Sequence, residues 1–195
     1  MPLTLEPPMQ SPPTEPHGKA ALANALDPLE PMAHAIWQVM APLSDPEIPV
    51  VSLRDMGILR EVRRVGTQWQ VVITPTYSGC PAMDQIEDDV RQALASAGLD
   101  AQVVTQLAPA WTTDWMTPQA HAQLRDYGIA PPCAVQTTDA SHTLRFVRTL
   151  APVSVACPRC DSTQTTEVSH FGSTACKALF KCLACLEPFD HFKPH

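Results

Sequence analysis

Two Cys-x-x-Cys pairs, Cys157-Pro158-Arg159-Cys160 and Cys182-Leu183-Ala184-Cys185, are separated by 21 residues. Each pair puts two thiols on one side of a tight turn. Two such knuckles facing each other supply four sulfurs at about 2.3 Å from a common centre, the tetrahedron that a structural Zn²⁺ prefers. The separation is just past the usual spacing of about 15–20 residues, which an extra turn in the intervening hairpin absorbs. A segment of about 50 residues buries little core, so a bound metal supplies most of its folding free energy. Four thiolates also suit a single iron or an iron–sulfur cluster, but nothing in the spacing demands redox chemistry, which favours zinc.

Disulfides are the competing use of clustered cysteines. The chain holds 7 cysteines, an odd number, and begins Met-Pro-Leu-Thr-Leu-Glu with neither a basic nor an apolar signal region. The expectation is therefore a cytoplasmic protein with reduced thiols. Cys176 is a fifth thiol beside the knuckles, six residues before Cys182. It is either a substitute ligand or a buried free thiol in the hairpin. His170, His191 and His195 lie close by in sequence and are expected on the surface, because four cysteines already fill a structural site.

Composition narrows the classes. Lys and Arg number 13 against 20 Asp and Glu, a formal charge of -7, which argues against a nucleic-acid face. No apolar run approaches the roughly 20 residues that span a bilayer. With 45% apolar residues the chain has enough material for a core.

The organisation follows from punctuation and periodicity. Residues 1–28 carry Pro2, Pro7, Pro8, Pro12, Pro13, Pro16 and Pro28, the composition of a disordered tail. Residues 29–130 read as an α+β unit. Ala33, Ile36, Trp37 and Met40 mark a helix ended by Pro42, and Ile58–Val65 with Trp69–Thr74 form a hairpin around Gly66-Thr67. Met83, Ile86, Val90, Leu94 and Ala97 mark a second helix stopped by Gly98, and Ala101–Leu107 is a third strand. Thr117-Pro118 opens a third helix that Gly128 closes. Residues 131–142 read as a linker, and 143–195 as a β-rich ribbon around the cysteine pairs.

Within the first unit, Thr74 through Cys80-Pro81 runs from a strand into the second helix. With Pro81 at the first helical position, Cys80 lies at the N-cap, where the helix dipole and free N–H groups should lower its pKa. Such a thiol attacks an electrophile or binds a soft metal; a buried structural cysteine is the equal alternative. Asp45 and Glu47 share a proline-stiffened turn and suit acid–base chemistry, hard-metal ligation or plain turn capping. Trp111-Thr112-Thr113-Asp114-Trp115 fits a core edge or a docking surface. No Ser-His-Asp order, Walker loop or dinucleotide glycine fingerprint is present.

These residues together carry a resemblance. Asp45-Pro46-Glu47-Ile48-Pro49, Asp55-Met56-Gly57 and Thr74 to Cys80-Pro81 resemble the MIP18-type domain tied to iron–sulfur cluster assembly, with Met56 where that family usually has leucine. The two knuckles, Phe171–Leu179 and Leu186–Asp190 make the whole similar to the D-subunit family of the bacterial phenylacetyl-CoA epoxidase system. The resemblance implies an accessory role beside a di-iron oxygenase and a reductase carrying flavin and a [2Fe–2S] cluster. The chain lacks the Glu-x-x-His helix pair of a di-iron protein. The resemblance also moves Cys80 towards a functional role, with Asp45 and Glu47 following less far.

Three functions compete. A maturation factor would use Cys80 to hold transferred iron or a cluster for the reductase or oxygenase, with a second thiol from the client or from the other protomer of a homodimer. A scaffold would hold the oxygenase complex through the ribbon and the Trp111/Trp115 surface. A thiol enzyme would use Cys80 as nucleophile, with His34, His121 or His142 brought up as base.

Overall fold

The computed structural model describes residues 31–132 and 155–195. The proline-rich tail, residues 133–142 of the expected linker, the first part of the ribbon to 154, Cys133 and His142 lie outside the described residues.

Helix α1 (Pro31–Met40) buries Ala33, Ile36, Trp37 and Met40, the face its spacing predicts. Strands β1 (Ser44–Asp45) and β2 (Ile48–Ser52) pair antiparallel about a two-residue turn. Strands β3 (Leu59–Val65) and β4 (Gln68–Ile73) form the hairpin around Gly66-Thr67. Helix α2 (Met83–Ser96) buries Met83, Ile86, Val90 and Leu94 and returns the chain to β5 (Ala101–Thr105), which lies parallel to β4. A parallel neighbour needs such a crossover. The second sheet is therefore mixed, ordered β3-β4-β5. The two helices pack together, α2 against β5 and α1 against β3.

A single 3-10 turn, Thr113–Trp115, precedes α3 (Pro118–Tyr127). Thr117 caps α3 by accepting the Ala120 N–H at 3.2 Å, and Gly128, left-handed at φ 98°, ends it. The chain passes directly into β6 (Ile129–Ala130). After the knuckle at Cys157–Cys160 come β7 (Thr165–Ser169), β8 (Lys177–Cys182) and β9 (Pro188–Phe192), in the order β6-β9-β8-β7. β6 is thus an edge of the ribbon sheet, parallel to β9 with Ile129 opposite Asp190.

The junction is also packed. Phe192 and Cys176 belong to the same buried cluster as Ile36, Met40, Ile86 and Leu124. Trp111, 3% exposed, donates its indole N–H to the Met56 carbonyl at 3.1 Å and meets Phe192 and His195 edge-on. Arg125 on α3 pairs with Asp161 of the first knuckle. Among the described residues no helix is long and apolar enough to cross a membrane.

Candidate functional site

The first knuckle closes by Cys157 N–H to Ser162 O (3.0 Å) and Asp161 N–H to Cys157 O (3.0 Å). The second closes by Cys182 N–H to Glu187 O (3.0 Å), and Leu183 N–H reaches Gln164 O at 2.8 Å. Asp161 and Leu186 take positive φ, 61° and 68°, which lets each turn fold back on itself. The result gathers Cys157, Cys160, Cys182 and Cys185 with all sulfurs within 4.8 Å of one another. Cys157 and Cys185 are 3.8 Å apart, Cys160 and Cys182 3.6 Å. Four sulfurs at about 2.3 Å from one centre are about 3.8 Å apart, so these two pairs already stand at the spacing a tetrahedral zinc site needs. Backbone N–H groups of Arg159 and Cys185 point at Cys157 and Cys182, each at 3.4 Å, as thiolate ligands require. The Cys185 N–H is the main reason the Cys182 thiol is pulled down to about 6. Cys185 goes up to about 12: the Glu187 N–H pulls it down, but desolvation and the neighbouring sulfurs win. Only a cation makes four thiolates here compatible.

None of the three nearby histidines enters this group. His170 is exposed beside Glu167. His191, expected on the surface, is buried: its Nδ1 lies 3.2 Å from Ala130 O, beneath the β6–β9 pairing. Burial lowers its pKa. His195 is exposed, as expected, with its ring edge-on to Trp111.

A second cluster forms at the junction of the two modules. Asp45 is 7% exposed, and its Oδ1 accepts the N–H of Glu47 (2.7 Å) and of Ile48 (3.1 Å). It therefore caps the turn that presents Glu47. Burial raises the Asp45 pKa, with those two N–H groups and Lys177 opposing. Glu47 is partly buried, and its Oε2 accepts the thiol of Cys176 at 3.9 Å. Burial and then Asp45 raise its pKa; Lys177 and Cys176 work against them.

Cys176 is 5% exposed and lies outside the four-sulfur group, its Sγ 3.0 Å from Thr174 Oγ1. Lys177, the next residue, is 4% exposed, with its Nζ 3.8 Å from Asp190 Oδ2. Burial raises the Cys176 pKa; Thr174 and Lys177 oppose it, while Glu47 and Asp45 add to it.

Cys80 lies within electrostatic reach of these groups. It is half-buried in the turn between β4 and α2, held by Cys80 N–H to Tyr77 O (3.2 Å) and Met83 N–H to Cys80 O (3.3 Å). The expected lowering of its pKa is reversed: the thiol is pushed up to about 11. Burial is the largest cause, and Glu47, Asp45 and Cys176 add to it; only the Ala82 N–H pulls down. The helix begins at Met83 with Ala82 as N-cap, so Cys80 misses the helix end by two residues. Tyr77 feels Cys80, Glu47 and Cys176 as well, and its pKa is raised, chiefly by burial. Among the described residues, the groups acting electrostatically on Cys80 include no histidine. His34 pairs with Gln38 on the surface of α1.

Asp55-Met56-Gly57 is a structural latch. Asp55 accepts the hydroxyls of Ser52 (2.6 Å) and Thr117 (3.1 Å), and Met56 is fully buried. Gly57 stands at φ +75°, where a Cβ would come within 2.8 Å of the Trp115 Cβ and carbonyl oxygen. Trp111 is core edge, and Arg60 lies 3.3 Å over the Trp115 ring, so the expected tryptophan docking surface is covered from within the chain. The Cys80 loop also lines, through residues 75–78, a groove of about 370 Å³ closed by Leu107, Ala110, Trp111 and His195.

Sequence reasoning brought Asp45, Glu47 and Cys80 forward one by one but missed that Cys176 meets Glu47 and that Lys177 acts on both carboxylates. Cys176 and Glu47 are 129 residues apart, and no local spacing signals such a contact.

Residues 33–105 match the model of an iron-sulfur cluster assembly protein, and residues 143–193 that of the PaaD zinc beta ribbon domain. A protein of Escherichia coli (strain K12), named as the D-subunit of a "Putative 1,2-phenylacetyl-CoA epoxidase", is 49% identical over 164 residues, 84% of this chain and 93% of its own. The crystal structure of a domain of unknown function, DUF59, from Bacillus anthracis superposes with a TM-score of 0.44 at 22% identity, covering 48% of this chain and 92% of that one. With its iron–sulfur assembly domain joined to a four-cysteine zinc ribbon, the chain belongs to the D-subunit family of phenylacetyl-CoA epoxidases.

Proposed function

We propose that this protein is a maturation factor of the phenylacetyl-CoA epoxidase system, handing iron or an iron–sulfur cluster to the reductase or the oxygenase, with Cys80 as the transfer thiol. The observation that carries this reading is the contrast between the chain's two thiol groups. The ribbon cysteines form a closed set of four, suited to keeping a metal. Cys80 is partly open and stands among carboxylates, suited to a metal that must leave again. A group that stays protonated at neutral pH becomes a ligand only when a metal displaces its proton, which makes both capture and release available.

Glu47 presents a carboxylate to the cargo, and Asp45 holds the turn that aims it. The ribbon zinc is structural in this scheme. The test is co-expression of the epoxidase components with the wild-type protein or its Cys80→Ser variant. Reductase or oxygenase lacking its iron with the variant, while ribbon zinc stays at one per chain, supports the proposal. Full iron loading of both components with the variant overturns it.

A second reading, a scaffold for the epoxidase complex, is favoured by one feature. Val168, Phe171, Leu183 and Leu186 of the ribbon are all more than half exposed, apolar side chains open to protein contact. It requires stoichiometric co-purification with epoxidase components, lost on Leu183→Glu with Leu186→Glu but not on Cys80→Ser.

A further inference from the structure

We propose that Cys176 of the ribbon is a positioning residue for Glu47: its thiol holds the carboxylate that the first module's turn presents, so both modules together set that side chain. What Glu47 does once set rests on the carrier reading above, in which it faces the cargo. The hold itself stands on the contacts at the junction.

Glu47 needs two separate restraints. Asp45 accepts the backbone N–H groups of Glu47 and Ile48 at 2.7 and 3.1 Å, which fixes the turn but leaves the side-chain torsions of the glutamate free. A long side chain keeps its head in one place only if a further contact offsets the rotamer freedom it gives up. Among the described residues, the hydrogen bond that reaches this carboxylate comes from the Cys176 thiol, on Oε2 at 3.9 Å. Burial raises the Cys176 pKa, so the thiol keeps the proton it donates. A thiol is a weak donor, and over this distance it steadies the carboxylate without neutralising it.

The ribbon loop before β8 is built to deliver that thiol. Gly172 N–H donates to the Lys177 carbonyl (2.7 Å), Lys177 N–H to the Thr174 carbonyl (3.1 Å), and Lys193 N–H to the Cys176 carbonyl (3.0 Å). The Ser173 hydroxyl donates to Asp190 Oδ2 at 2.7 Å. A Cβ on Gly172 would stand 2.6 Å from Asp190 Oδ1, so the loop lies against β9 more closely than a side chain would allow. Thr174 Oγ1 is 3.0 Å from Cys176 Sγ; with the S–H given to Glu47, the threonine hydroxyl is the donor to the sulfur. Cys176 thus has its backbone in the ribbon and its side chain, 5% exposed, in the buried cluster that holds Ile36 and Met40 of the first module.

Infrared spectroscopy of the full-length, zinc-containing protein tests the hold directly. Zinc keeps the four ribbon cysteines as thiolates, so the S–H stretching bands belong to the other thiols, and the band lost in both Cys176→Ala and Cys176→Ser is that of Cys176. Glu47→Gln replaces a charged acceptor with a neutral one, and the Cys176 band should move to higher frequency, toward that of an unbonded thiol. A band that stays in place overturns the inference.

Co-expression with the epoxidase components then reads the consequence. Cys176→Ala should lower the iron content of the loaded component about threefold to tenfold, with ribbon zinc unchanged. Cys176→Ser keeps a donor and should lower it less. In a Glu47→Gln background, Cys176→Ala should cost nothing further. A full additional loss there overturns the positioning role, as does normal loading by Cys176→Ala where Cys80→Ser fails. Normal loading by Cys80→Ser overturns the carrier reading instead, and the infrared band then decides the hold by itself.

Discussion

Thr117 and Asp55 are joined twice: the threonine hydroxyl donates to the carboxylate at 3.1 Å, and its backbone N–H reaches the Asp55 carbonyl at 2.9 Å. The same hydroxyl oxygen caps α3, so one side chain both starts a helix and fastens it to the loop after β2. Thr117→Val removes the cap and the side-chain bond while keeping the shape. The expected cost is about 1–2 kcal/mol in urea unfolding. An unchanged midpoint would show that the latch contributes nothing.

Gly57 and Gly66 both have positive φ, +75° and +63°, but only at Gly57 would a methyl group collide, with Trp115. Gly57→Ala should cost about 2–3 kcal/mol and Gly66→Ala about 1 kcal/mol, measured by the same unfolding assay. Equal losses would mean that backbone strain, not the close approach of Trp115, sets the requirement.

Removing zinc should be felt in the first module. Trp111 is met edge-on by Phe192, the last residue of β9, and by His195 just beyond it. Chelation should therefore shift tryptophan emission to longer wavelength, and Trp111→Phe should abolish most of the shift. Emission indifferent to chelation would mean that the junction holds without metal.

The thiol of Cys80, pushed up to about 11, makes the zinc-only protein slow to alkylate at pH 8 and progressively faster toward pH 11. Glu47→Gln removes a negative charge that disfavours the thiolate, so alkylation of Cys80 at pH 8 should rise roughly threefold to tenfold by peptide mass spectrometry. A fall in rate would contradict the arrangement of the cluster. The raised value also carries a stability sign. The folded chain holds this proton more tightly than the unfolded one, so the contribution is complete below the ordinary value of 9 and is lost as pH rises through about 11.

What the sequence made legible is what depends on near neighbours. The two knuckles follow from Cys-x-x-Cys spacing, α1 and α2 from apolar positions at helical intervals, and α3 from Thr117 and Gly128. The fate of Cys80 was not legible in this way. Its local setting suggested a lowered pKa, but burial in the folded chain decides the sign, and Glu47, 33 positions before it, and Cys176, 96 after it, add to it. His191 failed for a related reason: Ile129–Ala130 looks like the end of a helical unit, and only the parallel register with β9 covers the imidazole. Charge and burial at the junction are sums over distant segments, which no window of consecutive residues contains.

Strand β8 begins immediately after Cys176 and ends on the zinc-binding Cys182. Six extended residues span about 20 Å. The strand is thus a splint with the metal knot at one end and a chemically different thiol at the other. The position of the Cys176 sulfur is therefore tied to the four-cysteine knot about 20 Å away, and loosening that knot loosens a residue that never touches it.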